Sequence, residues 1–153
     1  MQHTHQTSPF SAKKHSIILI CDGVNGPANI GGLLRLGDAF GVAQLVFANA
    51  TIDFSSPRVR RAARNADTTI PHTVINDVVG FISELKSDGY HSIGLEITSS
   101  SRPIQQIEGL KNQKIALVVG NERHGISSEV LAVVHESVHI EMFGVNSSMN
   151  VTQ

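Results

Sequence analysis

Short aliphatic runs, separated by polar stretches that carry glycine, recur along the whole of this chain. Ser16 to Asp22 is apolar at nearly every position and stops at Gly23, which predicts a strand buried on both faces. Similar runs predict strands at Gln44–Ala48, Thr69–Val74, His91–Ile97, Lys114–Val119 and Ser137–Met142. Between the runs the apolar spacing lengthens to that of a helix. Ile30, Leu33, Leu34 and Ala39 share one face of a helix predicted over Ala28–Phe40, with Gly41 as its stop. Ser56-Pro57 opens a short helix, Asn76 is placed to cap one running through Lys86 to Gly89, and Ser127 caps another before the last strand. Strands alternating with helices predict an α/β fold, a mostly parallel sheet flanked by helices. Residues 1–15 are polar and aperiodic and are expected to form a flexible arm, leaving 16–153 as a single domain.

Composition adds limits. A chain of 153 residues is long enough to bury one core, and with 5% aromatics and no Trp that core must be aliphatic. A net charge of −1 demands no polyanionic partner overall. Its distribution is less neutral: Arg58, Arg60, Arg61 and Arg64 fall within seven positions, with no acid until Asp67. A solvated helix face is the ordinary reading of a charge run, but a purely cationic one favours contact with phosphates. The lone Cys21 excludes an internal disulfide and fits a reducing compartment. Near the N-terminus the longest apolar run, Ile17–Cys21, is too short for a signal peptide or a membrane span, so a cytoplasmic protein is expected. The His residues and the single Cys give no expectation of a metal site. His3 and His5 sit in the arm, where a stray metal contact is the weaker reading.

Three polar loops follow apolar strands: Asn29 to Arg35, Gly120-Asn121-Glu122-Arg123-His124-Gly125, and Ser148 to Val151. The carboxyl edge of an open α/β sheet is where ligands bind, so these loops are expected to build one composite site. The common phosphate motifs fail. Gly26 to Gly31 has P-loop spacing, but Gly32-Leu33 stands where Lys-Ser/Thr is needed, and no GxGxxG follows the first strand. Each loop also has a plain reading. Arg35 can snorkel to solvent, Asn121 and Glu122 can cap a helix, and Ser148 and Asn150 can form a polar turn. Against that, Arg35 with Asn29 puts a cation and an amide near one helix N-terminus, which suits a phosphate or a developing oxyanion. Cys21, with no activating His nearby in sequence, reads as a small buried hydrophobe.

Taken in order, Asn29–Gly31–Arg35, Gly120–Glu122–Gly125 and Ser148–Met149–Asn150–Val151 resemble the three motifs of the SpoU/TrmH family of RNA ribose methyltransferases, part of the SPOUT superfamily. The resemblance runs from about Ser16 to the end. It implies a SPOUT-type sheet with a C-terminal trefoil knot, S-adenosyl-L-methionine held in the knot loops, a homodimer, and methyl transfer to a ribose 2′-hydroxyl of tRNA or rRNA. By position it implies Arg35 as the catalytic arginine and Asn29 as the amide that positions it or the substrate. Glu122, Ser148 and Asn150 complete the implied catalytic set. Gly120 and Asn121 fall in the implied cofactor loop, and Ile140, Met142 and Met149 are expected to line an adenosine pocket. Met149 replaces the family's usual Leu, and Glu141 a common Pro. The resemblance leads to a further C-terminal helix, so a truncated one is expected where the chain stops at Gln153. Two rivals remain: a non-catalytic RNA-binding module on the same fold, and a doubly wound enzyme acting on a small molecule, which leaves the arginines unexplained.

Overall fold

In the computed structural model, which describes residues 11–146 and 148–153, the chain builds a single parallel sheet. Its strands are β1 (His15–Asp22), β2 (Val42–Ala48), β3 (His72–Ile75), β4 (Tyr90–Leu95), β5 (Arg102–Pro103), β6 (Lys114–Val119) and β7 (Glu136–His139). They lie in the order β3-β2-β1-β6-β4-β7-β5, with every pairing parallel. Among the described residues five α-helices flank the sheet: α1 (Pro27–Ala39), α2 (Pro57–Ala63), α3 (Ala66–Thr69), α4 (Val78–Ser87) and α5 (Ser128–Val133).

Period-two alternation along the central strands divides the core between the two faces. Leu19 and Cys21 of β1 join Leu45 and Phe47 of β2 against Ile30, Leu33 and Leu34 of α1. Ile18 and Ile20 point the other way and meet Val46, Val118 and the α4 residues Ile82 and Leu85. Removing each of these side chains from water is worth about 1.5–3 kcal/mol, so α1 and α4 hold the sheet without specific polar contacts. α1 and α2 cross closely at Gly31, where any Cβ would overlap Ala62 and the backbone between Val59 and Ala63. That contact fixes α2, and the arginines on it, against the first turns of α1.

Several boundaries differ from the expected ones. β3 starts at His72, not Thr69, because Ala66–Thr69 forms one helical turn closed by Ile70 N–H to Ala66 O at 3.0 Å. Asp77, not Asn76, caps α4; its Oδ1 accepts from Gly80 N–H at 2.8 Å. Ala39 is exposed, and Gly37 takes the core position against Leu45 and Ile70. Ser127 stands at the start of α5 but its side chain makes no capping bond. β4 ends at Leu95 and β7 at His139, two to three residues earlier than expected, while β1 and β2 begin one and two residues earlier. The two-residue β5 carries no sequence signal. Of the expected arm, residues 1–10, with His3 and His5, lie outside the described residues, whereas His15 already pairs in β1 and its N–H donates to Gly41 O at 2.8 Å.

Where β4, β5 and β7 begin, polar side chains bind the strands together. Glu136 accepts from Arg102 Nη2 at 2.5 Å and meets His91 Nε2 at 2.7 Å. His91 stacks on His135, centroids 4.7 Å apart, and His135 Nδ1 accepts from Ser92 N–H at 3.0 Å. The His91 hydrogen bond, and then Arg102, hold the Glu136 carboxyl below its usual range. Burial, and then the charges of Lys86 and His91, depress His135, whose Nδ1 lone pair is already engaged. Both shifts act in one direction. The unfolded chain binds the proton more readily in each case, so stability is full at neutral pH and falls on acidification. The loss begins as pH drops below the unfolded histidine value of about 6.5 and continues through the unfolded carboxylate value of about 4.3. Urea unfolding at pH 7, 5.5 and 4 should show a falling midpoint, and His135→Gln should remove much of the step between pH 7 and 5.5. An identical pH profile in that variant would take His135 out of the account.

Candidate functional site

Beyond the ends of β4, β6 and β7 the chain encloses a cleft of about 570 Å³. One wall is the turn after β6, where Asn121 and Gly125 exchange both backbone hydrogen bonds, at 3.1 and 2.7 Å. The Asn121 side chain is committed to this turn. Its Oδ1 accepts from Arg123 N–H at 2.8 Å and His124 N–H at 3.3 Å, and its Nδ2 donates to Gly23 O at 2.8 Å. Asn121 thereby ties the turn to the end of β1, and what it leaves to a ligand is backbone. Gly120 is equally internal: a Cβ there would fall on the Gly125 carbonyl carbon and the Ile126 nitrogen. The turn closes on itself at this point, so glycine is needed for the turn's own geometry before any ligand arrives.

The opposite wall comes from the chain after β7. Ile140 and Met142 line it half-buried, followed by Ser148, Met149 and Asn150, all three exposed. Asn29, in the first turn of α1, joins the walls at their rim. Its Nδ2 donates to Glu122 Oε1, and its Oδ1 accepts from Asn150 Nδ2 at 3.1 Å. Asn150 in turn uses its Oδ1 to accept from Thr152 N–H at 2.9 Å. Residues 93 and 121 positions from Asn29 in the chain thus meet on one amide, whose orientation is fixed by a carboxylate on one side and a donor on the other.

Arg35 is not part of this cleft. It projects from the exposed side of α1, and among the described residues it makes no ion pair. Arg58, Arg60 and Arg61 are exposed on α2, and Arg64 follows as its left-handed C-cap, φ 49°. None of the four is paired with an acid among the described residues. Arg58 and Arg61 flank Pro27 and Ala28 across a shallow hollow, beside the turn that carries Asn29.

The cleft contains residues that the sequence gave no reason to select: Glu96 and Thr98 after β4, and His139 at the end of β7. His139 Nδ1 lies 2.9 Å from Ser101 Oγ. One spacing cuts against the expectation that no metal set exists, because His135-Glu136-Ser137-Val138-His139 has the HExxH order. It lies on a strand, however, where residues four apart are separated by roughly 13 Å and cannot converge as they do on a helix. Its members are engaged elsewhere, His135 with Ser92, Glu136 with His91 and Arg102, and His139 with Ser101. Among the described residues no three His, Cys, Asp or Glu side chains are grouped to hold a metal. Burial pushes the Cys21 thiol well above its ordinary range, which leaves it unreactive at neutral pH.

The sequence profile of the SpoU rRNA Methylase family matches residues 16–153. This chain belongs to that family. Similar curated proteins include the 23S rRNA (guanosine(2553)-2'-O)-methyltransferase RlmP of Bacillus subtilis, 28% identical over 88% of this chain and 52% of its own length. The tRNA (guanosine(18)-2'-O)-methyltransferase of Saccharomyces cerevisiae is 29% identical over 90% of this chain and 10% of its own. The SpoU chain therefore spans about half or less of the curated relatives it matches. Its fold matches that of the A. aeolicus TrmH/SpoU tRNA modifying enzyme, with a TM-score of 0.80, 22% identity, and 92% and 71% of the two chains covered. It also matches an AdoMet-bound rRNA methyltransferase from Sinorhizobium meliloti, with a TM-score of 0.82, 23% identity, and 94% and 54% covered. The described helices include none long and apolar enough to cross a membrane.

Proposed function

We propose that this SpoU domain transfers a methyl group from S-adenosyl-L-methionine to a ribose 2′-hydroxyl of tRNA or rRNA, as a homodimer working in the cytoplasm. The observation that carries the reading is the meeting of Asn29, Glu122 and Asn150 at the rim of the cleft, one residue from each motif. The relatives named as rRNA and tRNA 2'-O-methyltransferases supply the reaction class. The cleft fits the cofactor in size and lining. Its volume lies in the range of small-molecule sites, and Leu95, Leu131, Met142 and Val151 give it apolar surface beside exposed loop backbone. Gly120, Asn121, Ile140, Met142 and Met149 would hold the cofactor there, in a C-terminal segment that we take to be knotted.

When bound, the cofactor supplies a methyl group on a sulfonium, whose leaving group is a neutral thioether. Transfer would replace the carbon–sulfur bond with a carbon–oxygen bond, and the hydroxyl proton would have to pass to solvent or a neighbouring base. The protein's task is to align the hydroxyl and favour its charge. Asn29, Glu122, Ser148 and Asn150 form the polar rim that orients it. A guanidinium offers five donors and no acceptor, so Arg35 is assigned to stabilising the developing oxyanion or an adjacent phosphate. Because Arg35 lies outside its own chain's cleft, we assign it to the cleft of the second subunit. The arginines of α2 hold the RNA backbone.

Isothermal titration with S-adenosyl-L-methionine, with and without bulk tRNA, tests the reading. Absence of cofactor binding would leave the non-catalytic RNA-binding module standing. The arginine assignment has its own measurement. Replacing Arg58, Arg60, Arg61 and Arg64 with Ala should weaken RNA binding and reduce the slope of log K against log salt by about one unit per lost phosphate contact. An unchanged slope would return α2 to the status of a solvated face. Cofactor affinity should not move.

A further inference from the structure

β6 lies between β1 and β4, and the sheet register makes its two neighbours equivalent at the exit. Cys21 of β1 and Leu95 of β4 both pair with Val119, the last residue of β6. The next residue on each side is a carboxylate: Asp22 on one, Glu96 on the other. Asp22 is only 3% exposed; its Oδ2 accepts from Ser127 N–H at 2.8 Å, and its Oδ1 from Asn49 Nδ2 at 2.7 Å. Glu96 Oε2 accepts from Ile126 N–H at 3.0 Å, and its Oε1 from Ile97 N–H at 3.0 Å. Two acids from opposite sides of β6 therefore take two consecutive amides at the point where the Gly120–Gly125 turn rejoins the fold.

We propose that Asp22 and Glu96 are positioning residues that grip the cofactor turn and set the shape of the cleft. This rests on the cofactor reading above. Amide N–H groups at the start of a short helix have no partners within it, and charged acceptors bind them more strongly than neutral ones. Without the grip, the turn keeps its own Asn121–Gly125 pair, the bonds of the Asn121 side chain within the turn and to Gly23, and Asn29 to Glu122 at its exposed rim. With it, the wall formed by Gly120 to Gly125 is pre-set before any ligand enters, so less ordering is left for binding to do. Neither acid need touch the ligand for this.

The test uses Glu96→Gln, Asp22→Asn and the double variant. Each removes the charge and leaves one accepting oxygen where the carboxylate had two, so the amide that keeps a partner is held more weakly. In the free protein, hydrogen exchange at Ile126 and Ser127 should accelerate. Affinity for S-adenosyl-L-methionine and S-adenosylhomocysteine should fall together, by about ten-fold in each single variant. The double variant should lose less than the product of the singles, because one turn can be released only once. That coupling distinguishes a shared grip from two unrelated losses of stability. Unchanged exchange at the two amides overturns the proposal. So does a loss confined to S-adenosyl-L-methionine, which would mean a direct charge contact with the sulfonium. Should the wild type bind neither cofactor, the functional reading fails while the exchange data still decide the grip. Should Asp22→Asn not fold, Glu96→Gln decides alone through exchange and the paired affinities.

Discussion

Arg35→Ala is expected to lower kcat by a hundred- to a thousand-fold, on the order of what losing one charge-stabilising donor costs, and to leave cofactor affinity nearly unchanged. The basis is positional. Arg35 lies on the open side of α1, outside the cleft that Gly120 and Asn150 line, and in the proposed reading it meets the nucleophile and not the cofactor of its own chain. A two-fold arrangement would carry it to the neighbouring cleft. Exposed apolar side chains near the cleft, Phe143 at 93% and Val145 at 105%, are the kind of surface such a contact covers. Mixing Arg35→Ala subunits with Gly120→Val subunits, each inactive alone, is the decisive measurement. Random pairing makes half of the dimers mixed, each with one intact site, so about a quarter of wild-type activity should return. No recovery from a mixture shown by sedimentation to be dimeric would mean that each Arg35 serves its own chain.

Gly120→Val should abolish cofactor binding, and Gly120→Ala should already weaken it severely. The cause lies within the protein. A methyl group at Gly120 has no space because the Gly125 carbonyl and the Ile126 amide occupy it, so the turn must open and both the Asn121–Gly125 bridge and the wall of the cleft are lost. The strands beneath stay paired, and the circular dichroism should change little while titration with the cofactor shows no heat. Undiminished binding would show that the turn can shift without harm and would remove Gly120 from the site.

Much of the fold was readable because the strands are aliphatic and the helices end at glycine or proline. Boundaries failed where neighbouring residues offer the same local chemistry. Asn76 and Asp77 can both cap a helix, and only the burial of Val78, Ile82 and Leu85 at helical spacing decides for Asp77. Thr68 and Thr69 favour strands by propensity, yet they close a turn that seats Ala66 and Ile70 under α1. At the site, motif resemblance singled out Asn29, Glu122 and Asn150, but nothing in their spacing says that they share one amide. Gly120 is expected in the cofactor loop, and the geometry adds a reason local pattern does not show, the closure of the turn on Gly125 and Ile126. Asp22 and Glu96 were invisible for a different reason. Their equivalence exists only once β6 is known to lie between β1 and β4, a pairing that no local pattern encodes.

That same strand order has a consequence in time. β1 finds β2 across a single helix, but its other neighbour, β6, is about 98 residues away in sequence. Closing so long a loop is slow compared with forming helices or joining adjacent βα units. The half of the sheet made of β3, β2 and β1 can assemble early, while the cleft must wait for β6 to arrive and for the segment after β7 to fold back onto α1. A refolding chain would accordingly regain most of its helical signal well before it could take up a ligand. Anything that binds only the finished cleft would draw that last step forward by mass action.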